Sequence, residues 1–352
     1  MSRTDKDLAF MLQYENIAWF DGTAVRILDR RIYPAKKEFV YCRTHQEVAQ
    51  AITDMVTQSA GPFSAAAMGM ALAAHECSGQ SEAKQREFLK NAADTIANAR
   101  PTTKKRMRQV VDNSLAAAEQ AFAAGENIEE ALFDAAIAAN ERRYQRIEKV
   151  SEYLVEKFPQ NGGILTQCFG ETIVGMMLRT AGRTGKNVKI FCCETRPYFQ
   201  GARLTATVCH DMGADVTVIT DNAPSYCMSQ GKIDLFTSAA DAITLDGHVV
   251  NKIGTYQLAI TSKYHGIPYY VTGSPDIGHP TGSSVTIEER DPEYVLQAMG
   301  VRTADIGVKG YYPVFDRTPP ELVTGVVTDL GIYSPFELNR YFEDGGSPEM
   351  SV

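Results

Sequence analysis

The spacing of hydrophobic positions along this chain changes once, near residue 160. From Ser81 to Phe158 apolar residues recur at helical spacing among Ala, Glu, Lys and Arg, with breaks at Arg100-Pro101 and near Gly125. After residue 160, short apolar runs alternate with helical segments, which is typical of a parallel sheet covered by helices on both faces. The pattern predicts an α/β protein with a helical N-terminal domain over 1–160 and a parallel-sheet domain over 161–352.

The first part of the N-terminal domain predicts a small antiparallel sheet followed by helices. Apolar runs on either side of Asp21-Gly22 are typical of a hairpin. Thr44, with Glu47 three residues later, forms a capping box before a helix that we expect to end at Gly61-Pro62. The stretch Pro62–Cys77 is rich in Ala, Met and Gly, which indicates a helix packed closely on all sides.

In the C-terminal domain, Cys168 follows directly on the first predicted strand. The predicted strands are 163–168, 188–193, 215–220, 233–239 and 268–273. Ligands of open parallel sheets bind outside the carboxyl ends of the strands, and the positive end of a following helix favours a thiolate. The sequence therefore predicts a reactive thiol at Cys168 with a lowered pKa. The alternative is that Cys168 is a small apolar residue that caps a buried strand. Its position alone slightly favours this alternative over a reactive thiol.

Further polar clusters follow the other strands at the same predicted edge. They are Glu194-Thr195-Arg196-Pro197, Asp221-Asn222 and Ala240-Asp241. Asp241 follows an apolar strand, so we expect its carboxyl to be partly desolvated, which raises a carboxyl pKa toward neutrality; a turn-capping aspartate is the alternative. Asn251 and Lys252, with helix N-terminal amides after them, are suited to hold a phosphate. Together the clusters indicate an enzyme with an anionic substrate.

Arg100 lies at the break before Pro101. The residue before a proline is held extended, so the guanidinium of Arg100 can leave the helical surface. An exposed arginine in a simple interhelical turn is the alternative, and the local pattern favours it.

Composition excludes several classes of protein. The chain has 352 residues, 44% of them hydrophobic, so it can bury a large core, and its net charge of −8 argues against nucleic acid as a partner. We expect a cytoplasmic protein with no membrane partner, because no apolar stretch has the length of a membrane span and the polar N-terminus is unlike a signal peptide. Seven irregularly spaced cysteines without a CxxC pair, and the lack of GxGxxG and GxxxxGK[ST] motifs, predict no metal and no nucleotide cofactor.

Several long stretches then resemble the methylthioribose-1-phosphate isomerase family. They are ETRPYFQGARLTA (194–206), NKIGTYQLA (251–259), VTIEERDPEYV (285–295) and YPVFDRTPPELVTGVVTDLG (312–331). The wider family includes ribose-1,5-bisphosphate isomerases and regulatory subunits of the translation initiation factor 2B exchange factor. The resemblance covers nearly the whole chain. It implies a Rossmann-like C-terminal domain, a homodimer, and an aldose-1-phosphate to ketose-1-phosphate isomerase that needs no metal or organic cofactor.

The resemblance also implies roles for individual residues. Cys168 and Asp241 match the positions that carry the chemistry, and the matched substrate contacts are Arg100, Gln200, Asn251 and Lys252. The regulatory subunits generally lack the catalytic pair, so its presence favours an enzyme.

The chain departs from the isomerase pattern at two places. The segment after Cys168 is short, with Gln167 before the cysteine in place of histidine, and residues 58–62 replace an Arg-Gly-Ala-Pro phosphate contact. These departures bear on the sugar more than on the isomerase activity. Methylthioribose 1-phosphate is the expected substrate and ribose 1,5-bisphosphate its rival, while a non-catalytic sugar-phosphate or nucleotide sensor is the alternative of another class.

Overall fold

The computed structural model describes residues 3–100 and 104–347 of the chain. It divides into two compact units, Met1–Gln145 and Arg146–Val352.

The first unit combines helices with a small antiparallel sheet. Its helices are α1 (Tyr14–Ile17), α2 (His45–Thr53), α3 (Gly61–Glu76), α4 (Glu82–Ala97), α5 (Lys104–Ala124) and the first part of α6 (Ile128–Glu156), and a 3-10 turn covers Phe10–Leu12. Strands β1 (Ala18–Phe20), β2 (Val25–Leu28) and β3 (Phe39–Cys42) pair in chain order. The predicted hairpin at Asp21-Gly22 is confirmed, since Gly22 takes a positive φ of 95° between β1 and β2.

Helix α3 is the centre of this unit, as its composition predicts. Thirteen of its 16 residues are buried. A Cβ added at Gly69 would lie 3.0 Å from Val48 and 3.1 Å from Ile96, so the missing side chain lets α2 and α4 approach the α3 backbone.

The expected end of α2 is wrong, although its capping box is confirmed. The hydroxyl of Thr44 accepts the N–H of Glu47 at 3.2 Å, but the helix ends at Thr53, before Met55 with its φ of 59°. Gly61-Pro62 instead begins α3. Proline suits a first helical turn, because its fixed φ is already helical and its missing N–H would have had no partner there.

The boundary between the units lies inside α6, about 15 residues before the composition change that suggested residue 160. The last turns of α6 are bonded within the second unit, where Ser151 shares a hydrogen bond of 2.7 Å with Thr180. The ammonium of Lys186 donates to the carbonyl of Phe158 at 2.6 Å. A local composition change marks where a helix ends, whereas a compact unit is defined by tertiary contacts.

The second unit is built on a seven-stranded sheet within the described residues. Its strands are β4 (Asn161–Thr166), β5 (Asn187–Cys193), β6 (Asp215–Ile219), β7 (Leu235–Ala239), β10 (Tyr269–Thr272), β14 (Gly325–Val327) and β15 (Ile332–Tyr333). A three-stranded antiparallel sheet has the order β13 (Phe315–Thr318), β9 (Val249–Lys252), β8 (Ala242–Ile243). Strand β11 (Gln297–Ala298) pairs with β12 (Val301–Arg302). The helices are α7 (Thr172–Arg183), α8 (Ala206–Asp211), α9 (Pro224–Ser229), α10 (Thr255–Tyr264) and α11 (Asn339–Glu343); a π-helix covers Gly201–Thr205, and 3-10 turns cover Gly282–Ser284, Pro292–Val295 and Pro320–Leu322.

All five predicted parallel strands are present, and their order places the site. The sheet order is β15-β14-β10-β7-β4-β5-β6, with β15 antiparallel and the other neighbours parallel. The chain therefore enters the sheet at the interior strand β4, runs outward through β5 and β6, and returns to pair β7 on the other side of β4. The crevice at such a switch point, between the carboxyl ends of β4 and β7, is where open α/β sheets bind ligands.

Candidate functional site

Cys168 lies at this switch point, in the turn between β4 and α7. Its backbone adopts a left-handed φ of 60°, its N–H donates to the hydroxyl of Thr195 at 3.1 Å, and its carbonyl accepts from the hydroxyl of Thr205. Among the cysteines of the described chain, Cys168 is partly exposed while the others are buried. Non-glycine residues held in this backbone region persist only where the surroundings fix them, and such residues cluster at functional sites.

Lys252, at the end of β9, belongs to the same electrostatic environment as Cys168. Its side chain is buried, with 6% exposed, and its ammonium lies 4.6 Å from the ring centroid of Phe315. Burial lowers the pKa of Lys252, while the charges of Cys168 and Asp241 oppose that shift. Burial raises the pKa of the Cys168 thiol to about 11; Lys252 acts against this shift and Asp241 adds to it. The three predicted residues are thus brought together.

The lowered thiol pKa predicted for Cys168 is wrong. Two further residues separate Cys168 and Phe169 from the start of α7 at Thr172, and Glu171 precedes that start with a φ of 55°. Desolvation outweighs the cation, so the thiol is protonated at neutral pH.

Asp241 lies two residues beyond the end of β7, and its backbone N–H donates to the carbonyl of Val250 at 2.9 Å. The residue is exposed, so the expected partial desolvation of its carboxyl is wrong. The apolar strand before it ends at Ala239, and the chain then turns outward into the β8–β9 hairpin. Its exposure leaves the carboxyl accessible to a ligand.

Two amides at the start of α10 bond a side chain, where the sequence predicted amides free for a phosphate. The N–H groups of Gly254 and Tyr256 donate to one carboxylate oxygen of Asp316 at 2.6 and 3.1 Å. The side-chain amide of Asn251 donates to the hydroxyl of Thr255 at 3.1 Å. Sequence reasoning missed Asp316, although it lies within the stretch 312–331 that carries the resemblance.

Gln200 is buried directly before the π-helix, and within the described residues its side-chain oxygen has no hydrogen-bond partner. Phe199 before it takes a φ of 56°. Short π-helical segments occur frequently at functional sites, where they redirect side chains. A buried acceptor without a partner is costly, which is consistent with a ligand that donates to it.

The polar ends of β5 and β6 converge beside the Cys168 turn, as predicted. Asp221 accepts the backbone N–H groups of Thr195 and Arg196 at 2.7 and 2.8 Å. Thr195 in turn accepts from Cys168, so a carboxylate at the end of β6 fixes the turn that supports the thiol. Sequence reasoning placed these residues at one edge but did not give Asp221 this role.

A cavity of about 250 Å³ lies beside these residues. The polar part of its wall is formed by side chains and backbone of Gln167, Arg196, Asp221, Gly254 and Tyr312. The rest of the wall is largely apolar. In the described chain, one terminal nitrogen of Arg196 and the hydroxyl of Tyr312 are buried without a hydrogen-bond partner. The edge of the sheet therefore offers a partly open cavity next to unsatisfied polar atoms.

Arg100 belongs to the first unit. It follows α4 and is partly exposed, directly before residues 101–103, which lie outside the described residues together with the predicted cap Thr102. A role of Arg100 in binding stays a prediction.

The described residues contain neither a cluster of metal-binding side chains nor a membrane-spanning helix. No group of three or more His, Cys, Asp or Glu side chains is placed to hold a metal ion. No helix in the same part of the chain has the length and apolar character to cross a membrane.

This chain is similar to known proteins over most of its length. The model of the initiation factor 2 subunit family matches residues 57–335. A methylthioribose-1-phosphate isomerase from Carboxydothermus hydrogenoformans is 37% identical over 91% of this chain and 96% of its own length. Methylthioribose-1-phosphate isomerase 1 from Pseudothermotoga lettingae is 36% identical over 89% of this chain and 93% of its own length.

Solved structures give the same result. The crystal structure of 5-methylthioribose 1-phosphate isomerase from Pyrococcus horikoshii has a TM-score of 0.82 at 29% identity, covering 95% of this chain and 98% of the other. That of the translation initiation factor eIF-2B, subunit delta, from A. fulgidus has a TM-score of 0.79 at 33% identity, covering 91% and 96%.

Proposed function

This chain belongs to the initiation factor 2 subunit family, and we propose that it is an enzyme that isomerises 5-methylthioribose 1-phosphate to 5-methylthioribulose 1-phosphate. Relatives that carry this activity in their names align with about nine-tenths of the chain at 36 to 37% identity. The second unit, with its strand order reversing at β4, is assigned to the Rossmann-like class.

One observation carries the proposal: the segments of Cys168, Lys252 and Asp241 are hydrogen-bonded to one another at this edge of the sheet. The side-chain amide of Gln167 donates to the carbonyl of Ile253 at 3.1 Å, and the N–H of Asp241 donates to the carbonyl of Val250 at 2.9 Å. These residues come from three separate segments of the chain, so folding is what brings a thiol, an ammonium and a carboxyl together. Titratable groups that perturb one another are typical of active sites. Cys168 and Lys252 do not line the cavity themselves, but their chain neighbours Gln167 and Ile253 do.

The proposed reaction begins with ring opening. The substrate is a cyclic glycosyl phosphate, so the bond between C1 and the ring oxygen breaks as that oxygen takes a proton. We assign this proton to the carboxyl of Asp241, which stays protonated once the bound substrate shields it from water. Hydrogen then moves from C2 to C1, and the C2 hydroxyl loses its proton to give the ketone. Neither step requires a metal or an organic cofactor.

Two routes for the hydrogen remain open. In one, a base removes the proton from C2 and an acid returns a proton to C1; in the other, hydride passes directly between the two carbons in a water-poor pocket. Burial raises the pKa of Cys168 to about 11, so its thiol enters the reaction as a proton donor. The ammonium of Lys252 stabilises negative charge that develops nearby.

The remaining predicted residues are proposed as substrate contacts. Gln200 offers a buried, unsatisfied oxygen, and Asn251 and Lys252 lie at the end of β9. Arg100 is proposed as a substrate contact, as the resemblance implies. We further propose a homodimer, which the resemblance implies, and a cytoplasmic location, which the sequence pattern indicates.

A panel of pentose 1-phosphates tests the substrate. The compounds carry a 5-methylthio, 5-deoxy, 5-hydroxyl or 5-phosphate group, and ketose formation is measured for each. The methylthio compound is expected to have the highest kcat/KM, whereas preference for the 5-phosphate would identify a ribose-1,5-bisphosphate isomerase.

Two variants test the roles. Cys168→Ser and Asp241→Asn are expected to reduce kcat by at least about a hundred-fold while ligand binding persists, because each removes one acid or base. If both variants keep the turnover of the natural chain, the roles are wrong. If the natural chain turns over none of the sugars but binds one of them, the protein is a sensor, in line with its similarity to an initiation factor subunit.

A further inference from the structure

Asp316 on β13 lies at a junction between the two segments that carry Cys168 and Lys252. In the register of β13 with β9, Asp316 is the partner of Asn251 and Phe315 is the partner of Lys252. The ring of Phe315 supports the buried ammonium of Lys252 at 4.6 Å. The neighbouring Asp316 reaches past the end of β9 to the first turn of α10.

The peptide group between Ile253 and Gly254 is held at both ends. Its N–H donates to the carboxylate of Asp316 at 2.6 Å, and its carbonyl accepts from the side-chain amide of Gln167 at 3.1 Å. Gln167 directly precedes Cys168, and Ile253 directly follows Lys252. One peptide plane therefore links the turn of the thiol to the strand end of the ammonium.

This junction has little freedom to adjust. Gly254 takes a φ of 102°, and a Cβ there would lie 3.1 Å from the side-chain nitrogen of Gln167. A second N–H, that of Tyr256, donates to the same oxygen of Asp316 at 3.1 Å. Next to the Ile253–Gly254 peptide, the hydroxyl of Thr255 donates to the carbonyl of Lys252 at 2.7 Å.

Burying the carboxylate of Asp316 at this position costs free energy, which indicates that Asp316 does more than cap a helix. Burial raises the pKa of its carboxyl to about 6, and its second oxygen is buried without a hydrogen-bond partner among the described residues. A neutral asparagine or serine caps a helix as well as an aspartate does, without burying a charge.

We propose that Asp316 is a positioning residue that sets the separation of Lys252 and the Cys168 thiol by holding the Ile253–Gly254 peptide. Its effect on turnover rests on the proposed function, whereas its effect on the thiol does not. A displaced Lys252 lowers the thiol pKa less, so the thiol becomes harder to ionise.

Alkylation measures this effect directly. Iodoacetamide reacts with the thiolate, and peptide mass spectrometry follows Cys168 alone across pH 7 to 10.5. For Asp316→Ala, which removes the acceptor, we expect alkylation at pH 9 to slow about three-fold or more. Simple loosening of the fold has the opposite effect, because greater exposure of the thiol speeds alkylation.

Two further variants complete the test. Asp316→Asn keeps an oxygen that accepts both N–H groups, so we expect it to restore alkylation close to that of the natural chain. Thr44→Ala removes the cap of α2 in the first unit and is the matched control. It should lower the midpoint of thermal unfolding and leave Cys168 alkylation and kcat unchanged.

Turnover provides the second readout. For Asp316→Ala we expect kcat to fall about ten-fold or more, with a smaller change in KM, because a shift of one ångström in reacting groups is costly. Unchanged or faster alkylation in Asp316→Ala, or an Asp316→Asn variant as slow as Asp316→Ala, would overturn the positioning role. Slower alkylation in a chain that turns over no sugar phosphate would support the positioning role and reject the isomerase function.

Discussion

The backbone N–H of Cys168 donates to the hydroxyl of Thr195 at 3.1 Å, and both residues hold left-handed backbones, with φ of 60° and 64°. The turns after β4 and β5 thus fix each other. Thr195 is itself fixed by Asp221, which accepts its N–H at 2.7 Å. Hydrogen bonds from residues after β5 and β6 therefore fix the turn after β4 that carries the thiol.

The backbone of Cys168 makes the first prediction possible. Both Cys168→Gly and Cys168→Ala remove the thiol, but only glycine adopts a φ of 60° without a steric penalty. We expect the glycine variant to be more stable than the alanine variant by about 0.5 to 1 kcal/mol, the reverse of their order in a helix. Urea denaturation compares the two proteins. An alanine variant of equal or greater stability would show that the turn is not strained.

Thr195 gives the second prediction. Thr195→Val leaves the N–H of Cys168 without its acceptor, and loss of a partner for a buried donor costs about 1 to 3 kcal/mol. We expect this loss in the free energy of unfolding together with at least a ten-fold fall in kcat. Thr195→Ser keeps the hydroxyl, and its unbranched side chain tolerates the left-handed backbone better. A serine variant as impaired as the valine variant would exclude the hydrogen bond as the cause.

The charge of Lys252 gives the third prediction, which concerns pH. The thiol of Cys168 has a pKa of about 11, so only about 1% of it is thiolate at pH 9. Lys252 favours the thiolate, and Lys252→Met therefore raises the thiol pKa further. Alkylation by iodoacetamide at pH 9 is expected to slow several-fold, with the whole pH profile moved to higher pH. The exposed ion pair of Lys189 with Asp215 supplies the control Lys189→Met, which should leave the profile in place.

Gly201, at the start of the π-helix, gives the fourth prediction. A Cβ at this position would lie 1.8 Å from the backbone oxygen of Cys193, so Gly201→Ala forces β5 and the π-helix apart. We expect a loss of at least about 3 kcal/mol in unfolding free energy and loss of turnover. Gly182 in α7 has no atom within 4 Å of an added Cβ.

Gly182→Ala is therefore the matched control for Gly201→Ala. It is expected to stabilise the protein by about 0.5 to 1 kcal/mol, because alanine favours a helix. Both free energies are obtained from denaturant titrations. A mild effect of Gly201→Ala would show that the junction between β5 and the π-helix can relax.

Local patterns predicted the helices and strands well, because these elements depend on residues that are close together in the chain. Helical spacing and small residues predicted the buried α3, and short apolar runs predicted all five parallel strands. Gly61-Pro62 was placed at the wrong end of a helix, since the pair fits a helix end and a helix start equally well. The structure resolves this through Met55, whose positive φ ends α2 earlier.

Short-range spacing and residue identity were enough to predict the α/β class, the position of Cys168 at a strand end, and the family of the chain. The electrostatics of the site, in contrast, came from folding. It desolvated the thiol of Cys168 strongly enough to raise its pKa although the residue is partly exposed, and it left Asp241 exposed. It also placed the carboxylate of Asp316 against two amides at the start of α10. Desolvation and charge act between groups far apart in the chain, and no local pattern records which groups folding will bring together.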